Sequence, residues 1–344
     1  MSAESRALPS PRWRMALKRI PGVDRLAKRL FSPEFEGAWL YHQSVVGWLY
    51  EPVLRRQLPG PFRAFAGWCA LQRSLWSDVV GGFGALRAAM RLRRALGLPE
   101  SLRLEVGPYI VWLALDDPRF LQVPNEVRAG GETRVLHDLL RLGDTFVDVG
   151  ANHGSFSIVA SRIVGARGRV VAVEPQARLA RLTERSLAET APETEANVLN
   201  LALGDAPGTL RLHVPPGSSG SATLLDAVPD DSWETTEVPV QRLDDVLDAA
   251  ALPGRVVLKV DVEGAEAAFL RGAREFFLDR QPILLFEVNP DRIETAGGAD
   301  PLLALVRDLG YTHYTEFDTP TERLPLAEAD LSHQRNVVLY PGAG

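Results

Sequence analysis

The chain has 344 residues, 46% hydrophobic and 24% charged, with a formal net charge of −6. That length suits one large domain or two, and that balance excludes wholesale disorder. The single cysteine, Cys69, excludes an intramolecular disulfide framework and a cysteine-rich zinc site, and fits a reducing cytoplasm.

The charge is unevenly placed. Residues 1–100 hold 16 Lys/Arg against 7 Asp/Glu, and the remainder holds 22 against 37. The basic part could face anionic lipid, nucleic acid or the acidic part of its own chain. Apart from a run at 91–94 its cations are spread out, which favours solvated helix faces over a nucleic-acid site and leaves peripheral membrane contact open. The first thirty residues are basic and broken by Pro9, Pro11 and Pro21, unlike a secretory leader. No apolar run approaches the ~18–20 residues of a membrane span. The reading is a soluble cytoplasmic protein.

Residues 1–99 read as a helical, basic region with five of the seven tryptophans: Trp13, Trp39, Trp48, Trp68 and Trp76. Such a concentration suits aromatic packing and could supply one wall of an acceptor cleft. Cys69 sits in an apolar run and reads as a buried structural thiol. From residue 100 the pattern changes to a second unit, 100–344, with its core at 144–289.

Leu102, Leu104 and Val106 alternate with polar residues, Gly107-Pro108 turns the chain, and 109–115 resumes an apolar strand. A helix over 131–142 leads into the core. Strands then follow at 145–149, 169–173, 198–202, 256–260 and 283–288. Helices separate them, from 154, over 177–189, over 243–249 and over 264–278. A strand-rich insertion at 209–214 and 237–241 flanks a Gly/Ser loop at 217–221. A helix near 302–309 and strands at 311–317 and 336–340 end the chain. This alternation implies a mainly parallel sheet covered on both faces.

In such a sheet, ligand groups gather at the carboxyl ends of the strands. The first strand runs into Gly150-Ala151-Asn152-His153-Gly154, and a helix follows. The spacing is Gly-x-x-x-Gly, not Gly-x-Gly-x-x-Gly. Asn152 stands where a dinucleotide site needs a glycine to admit pyrophosphate, so the turn suits a nucleoside ligand, with S-adenosylmethionine the leading candidate. Glu174, 24 residues after Gly150, ends the second strand and can accept from both ribose hydroxyls. Asp205 follows the third strand, where it could accept from an adenine amino group. It could equally form an Asx turn, and Glu174 a helix cap. Lys259, Asp261 and Glu263 end the fourth strand, and Glu287 the fifth. His153 reads as an exposed or helix-start histidine.

The ordered motifs resemble the FkbM family of S-adenosylmethionine-dependent methyltransferases. They are Val147-Asp148-Val149-Gly150-Ala151-Asn152-His153-Gly154-Ser155-Phe156, Val173-Glu174-Pro175, Ala202-Leu203-Gly204-Asp205, Ser219-Gly220-Ser221-Ala222-Thr223-Leu224, Arg242-Leu243-Asp244-Asp245-Val246-Leu247, Leu258-Lys259-Val260-Asp261-Val262-Glu263-Gly264-Ala265-Glu266 and Phe286-Glu287-Val288. Residues 1–99 lie outside the likeness. The resemblance implies a class I, Rossmann-like, seven-stranded sheet and O-methylation of a hydroxyl on a sugar or natural product. It places cofactor contacts on Asp148, Gly150, Asn152, Gly154, Glu174, Asp205 and Asp261, with Asp261 at the reacting end.

Asp261 is the first choice of general base, with Lys259 on the same face of the strand as its partner. Ser219, Ser221, Glu263 and Glu287 are candidates for the acceptor side, the loop 218–223 closing over it. Asp261, Glu263 and Glu287 have the oxygen chemistry for a divalent cation, but their spacing does not set a geometry and no metal is expected. Two other classes compete: a nicotinamide-dependent oxidoreductase and an inactive methyltransferase-fold scaffold. The missing middle glycine and the lack of a Tyr-x-x-x-Lys pair oppose the first, and the full set of strand-end carboxylates opposes the second.

Overall fold

The computed structural model describes residues 94–342 except 96, 98, 115–116, 118, 120–122, 129–131, 216–218, 226–232, 318, 330–332 and 334. The expected helical region 1–99, with Cys69 and its tryptophans, lies outside the described residues but for its last few positions.

Strands β1 (Ser101–Val106) and β2 (Tyr109–Ala114) form the expected hairpin, with Val106 opposite Tyr109. Two short helices follow, α1 (Val123–Arg128) and α2 (Val135–Leu139). The core then alternates β3 (Thr145–Val149), α3 (Ser155–Val164), β4 (Arg169–Val173), α4 (Ala177–Thr190) and β5 (Glu195–Leu199). An insertion carries β6 (Ala202–Leu203), β7 (Gly208–Val214) and β8 (Glu234–Gln241), which make a separate three-stranded sheet in the order β6-β8-β7. After α5 (Leu243–Val246) come β9 (Val256–Val260), α6 (Glu266–Gly272), α7 (Arg274–Arg280) and β10 (Ile283–Val288). The end of the chain holds α8 (Pro290–Thr295), α9 (Ala299–Asp308), β11 (Tyr311–Glu316), β12 (Thr319–Pro325) and β13 (Arg335–Pro341).

The main sheet runs β12-β11-β13-β10-β9-β3-β4-β5. Pairing is parallel from β10 to β5, and β13 is antiparallel to both its neighbours. Without β12 this is the expected class I arrangement. The strand count is eight and not seven, because the chain doubles back after β11 and β12 pairs along its outer side. Pro320 and Pro325 hide β12 from a reading of strand pattern, yet an edge strand tolerates them because its outward N–H groups have no ladder partner to lose.

Residues of β3 and β9 are buried along their whole length. Alternate side chains serve opposite faces, which is why both strands read as unbroken apolar runs. Phe146, Val170, Val257 and Leu285 pack beneath α1, α2, α3 and the hairpin. Val147, Val171, Leu258 and Leu284 pack against α6, α7 and α9.

Four expectations shift. The helix expected over 243–249 stops at Val246. The strand expected at 198–202 begins at Glu195 and stops at Leu199, because Ala202 and Leu203 leave the main sheet to pair with Val240 and Gln241. The helix expected over 264–278 is two helices. The Asp244 carboxylate accepts from the Glu275 and Phe276 amides at 3.3 and 2.9 Å and so caps a fresh helical start. The helix expected over 131–142 is shorter, a 3₁₀ turn at Glu132–Arg134 followed by α2. Among the described residues no helix is long and apolar enough to cross a membrane.

Candidate functional site

Connections leave β3 toward β4 on one side and reach β9 on the other, so the order reverses at the centre of the sheet. A crevice opens at such a switch point, at the carboxyl ends of the strands. Here it is a cavity of about 620 Å³, a size that admits a cofactor.

The turn after β3 forms one wall. Gly150 has φ +81°, and a Cβ there would lie 1.9 Å from the Asp261 carbonyl oxygen. Asn152 also takes a left-handed conformation, φ +51°, which asparagine tolerates. Its amide N–H donates to Glu174 Oε2 at 2.7 Å, and its side-chain Nδ2 donates to Ser219 Oγ at 3.0 Å. The other Glu174 oxygen accepts from the Gln176 N–H at 2.8 Å. Glu174 is buried, and that burial pushes its carboxyl up to about 7 against the pull of these two N–H donors.

Ser219 is held on three sides. Its N–H donates to Asp117 at 3.3 Å, its hydroxyl accepts from Asn152, and its carbonyl accepts from Gln176 Nε2 at 3.1 Å. The turn Ser219–Ser221 therefore roofs the Asn152–Glu174 end of the cavity. The described part of the hydroxyl-rich loop stands over Asn152 and Gln176, because those two side chains donate hydrogen bonds to it.

Lys259 and Asp261 lie at the other end. Lys259 Nζ is 3.0 Å from Asp261 Oδ2 and 3.6 Å from Asp148 Oδ1. Burial would lower the lysine, but Asp261 and Asp148 more than offset it and hold the ammonium above its ordinary value. Burial would likewise raise Asp261, yet Lys259 and a hydrogen bond with Glu287 bring it below the usual carboxylate range. Glu263 sits beside them with a left-handed backbone, φ +49°, its carbonyl accepting from Thr223 Oγ1 at 2.7 Å. Burial, reinforced by Asp261, pushes Glu263 up to about 7, while Arg292 at 3.3 Å pulls the other way. The carboxylates of Asp261, Glu263 and Glu287 lie within 4.8 Å of one another.

Gly150, Asn152, Glu174, Ser219, Lys259, Asp261, Glu263 and Glu287 thus share one cavity wall. Four other candidates stand off it. Asp148 faces α3, where its carboxylate accepts from the Ser157 amide at 3.2 Å and hydroxyl at 2.7 Å. Gly154 packs against Thr183, and Ser221 is set back from the opening. Asp205 is half-exposed and paired with Arg271 at 3.2 Å, so the wall on that side is apolar, with Leu201, Leu203, Leu212 and Leu224.

His153 lies two residues before the first residue of α3, at a helix start, and it is fully buried rather than exposed. Its Nδ1 is 2.7 Å from Asn152 Oδ1, and burial pushes the imidazole down to about 4. Asn152 Nδ2 is the donor toward Ser219, so Oδ1 is the acceptor and the His153 proton sits on Nδ1. Sequence reasoning missed Arg119 and Glu126, which also line the cavity. Arg119 lies between β2 and α1, and Glu126 lies on α1, whose six residues are too few to give a periodic signal.

Residues 148–312 match the methyltransferase FkbM domain. Over 201 residues the chain is 33% identical to the AMB antimetabolite synthetase AmbE of Pseudomonas aeruginosa, covering 48% of this chain and 9% of that protein. Over 192 residues it is 29% identical to methyltransferase sdnD of Sordaria araneosa, covering 48% of this chain and 72% of that one. The chain thus spans only a small part of the length of the synthetase. Among solved structures, the methyltransferase FkbM from Methylobacillus flagellatus shares 17% identity at a TM-score of 0.37, over 83% of this chain and 72% of that chain.

Proposed function

We propose that the chain, whose residues 148–312 match the methyltransferase FkbM domain, is an S-adenosylmethionine-dependent methyltransferase that methylates a hydroxyl of a small-molecule or glycan acceptor. The observation that carries this reading is one continuous cavity with a fixed carboxylate, Glu174, at one end and the Lys259–Asp261–Glu263–Glu287 group at the other.

The residues fit the cofactor. Glu174 already satisfies two backbone N–H groups and keeps lone pairs for two ribose hydroxyls. The leucine-lined wall suits the face of an adenine ring. Gly150 lets the turn approach the Asp261 backbone, where a side chain has no room. When bound, the cofactor supplies an electrophilic methyl on a sulfonium.

The chain's part is alignment and proton transfer. Asp261, kept ionised by Lys259, accepts a hydrogen bond from the acceptor hydroxyl and orients its oxygen toward the methyl, and such positioning can contribute much of the acceleration. A proton must leave that oxygen as the carbon–oxygen bond forms and the carbon–sulfur bond breaks. Glu263, held up to about 7, has the proton affinity suited to taking it near neutral pH. Asp261 is the poorer base because its ammonium partner holds its proton affinity down.

Calorimetry with S-adenosylmethionine and with NAD separates this reading from the oxidoreductase alternative. Heat with NAD and none with S-adenosylmethionine would sink it. Labelled methyl transfer to hydroxylated extract fractions tests the acceptor class. Label that stays alkali-labile, or that sits on nitrogen or carbon, excludes an ether product.

A further inference from the structure

Among the described residues, the cavity wall carries two cations, Arg119 and Lys259. Lys259 is committed to Asp148, Asp261 and the Gly150 carbonyl. Arg119 is placed differently. Its Nη2 is 3.0 Å from Glu126 Oε1, and its backbone N–H donates to Asp117 Oδ1 at 2.9 Å. The guanidinium lies directly against the roof turn, since a Cβ on Gly220 would come within 2.8 Å of Nη1. Its field also reaches Asp261. Glu126 accepts from the Ser155 hydroxyl at the start of α3, which fixes the second carboxylate oxygen.

An S-adenosyl ligand has three chemically distinct parts. The ring matches the leucine wall, and the ribose hydroxyls match Glu174. The third part is a zwitterion, a carboxylate and an ammonium on one carbon. It needs a fixed cation and a fixed anion side by side, near the sulfur and hence near Asp261. We propose that Arg119 and Glu126 are that pair: Arg119 donates to the α-carboxylate and Glu126 accepts from the α-ammonium of the ligand's amino-acid end. A guanidinium has five N–H donors in a planar fork, so it can hold Glu126 with one edge and a ligand carboxylate with another. Both residues lie upstream of the matched domain at 148–312. The segment that pins the roof through Asp117 therefore also reads the ligand, and the nucleoside and amino-acid ends are recognised by different parts of the chain.

This rests on the cavity being an S-adenosyl site, and the test keeps the two apart. Titrate the full chain with S-adenosylhomocysteine and with 5′-methylthioadenosine, which lacks the amino-acid end. The wild type should bind the first more tightly. In Arg119→Gln the affinity for S-adenosylhomocysteine should fall roughly ten- to hundredfold while that for 5′-methylthioadenosine stays within about twofold, the expected cost of losing one charge-assisted contact. A second arm needs no variant: S-adenosyl-3-thiopropylamine, lacking only the carboxylate, should bind the wild type more weakly by a similar factor. Equal losses for both nucleosides in Arg119→Gln, no loss at all, or wild-type binding indifferent to the carboxylate would each overturn the assignment. A wild type that binds none of the three overturns the S-adenosyl reading itself, and this inference with it.

Discussion

Glu174 shows how a single carboxylate is tuned. It is buried, it accepts two backbone N–H groups, and its pKa is raised to about 7. A raised carboxyl is protonated below that value, and a protonated oxygen can no longer accept from all the donors that converge on it. In the proposed site the backbone N–H and ribose O–H groups all donate, so the proposed binding mode calls for the ionised form. S-adenosylhomocysteine affinity should therefore strengthen as pH rises through about 7, and Glu174→Gln should flatten that dependence and weaken binding at pH 8. Titration calorimetry across this range checks it, and a wild-type affinity independent of pH would count against the role. Glu174 and Asp261 were legible in the sequence because a polar residue ending an apolar strand has few other reasons to be there. Asp205 looked equivalent, yet it follows a strand of the side sheet and turns to Arg271. His153 does stand at a helix start, as one of its two readings has it, but its burial was not legible, because one residue in a turn carries no periodicity to report it.

At the scale of elements, the turn between β3 and α3 is tightly constrained. Gly150 combines φ +81° with a Cβ position occupied by the Asp261 carbonyl. Left-handed backbone costs a non-glycine residue roughly 1–2 kcal/mol. The clash adds to that, and backbone can relieve it only by separating β3 from the end of β9. Gly150→Ala is expected to lower the melting temperature and to abolish S-adenosylhomocysteine binding. An alanine variant that binds normally would mean the turn has slack this geometry does not show. The strands of the main sheet were legible because burial on both faces leaves nearly unbroken apolar runs. β12 was not, since its prolines mimic a loop, and neither was the break between α6 and α7, which depends on Asp244 arriving from a distant segment.

Across the whole molecule, charge balance decides whether the acidic end of the cavity needs a cation. Asp261, Glu263 and Glu287 converge, but Lys259 stands 3.0 Å from the first and Arg292 3.3 Å from the second. Cations of the fold thus already face two of the three carboxyl groups, and a hydrogen bond joins the third to Asp261. Millimolar magnesium should leave the melting temperature unchanged and a chelator should leave S-adenosylhomocysteine affinity unchanged, whereas a specific ion would shift both by mass action. The overall architecture was readable from alternation alone, while the contribution of Asp117, Arg119 and Glu126 was not, because contacts between distant segments leave no local pattern. The roof over Asn152 has a kinetic meaning. Ser219 is fastened through its amide, its hydroxyl and its carbonyl to three different segments. Spent nucleoside must leave each cycle and fresh donor must enter. If that traffic passes beneath Ser219, all three fastenings open each time, and the pace of the cycle is then set by exchange at this door and not by bond-making behind it.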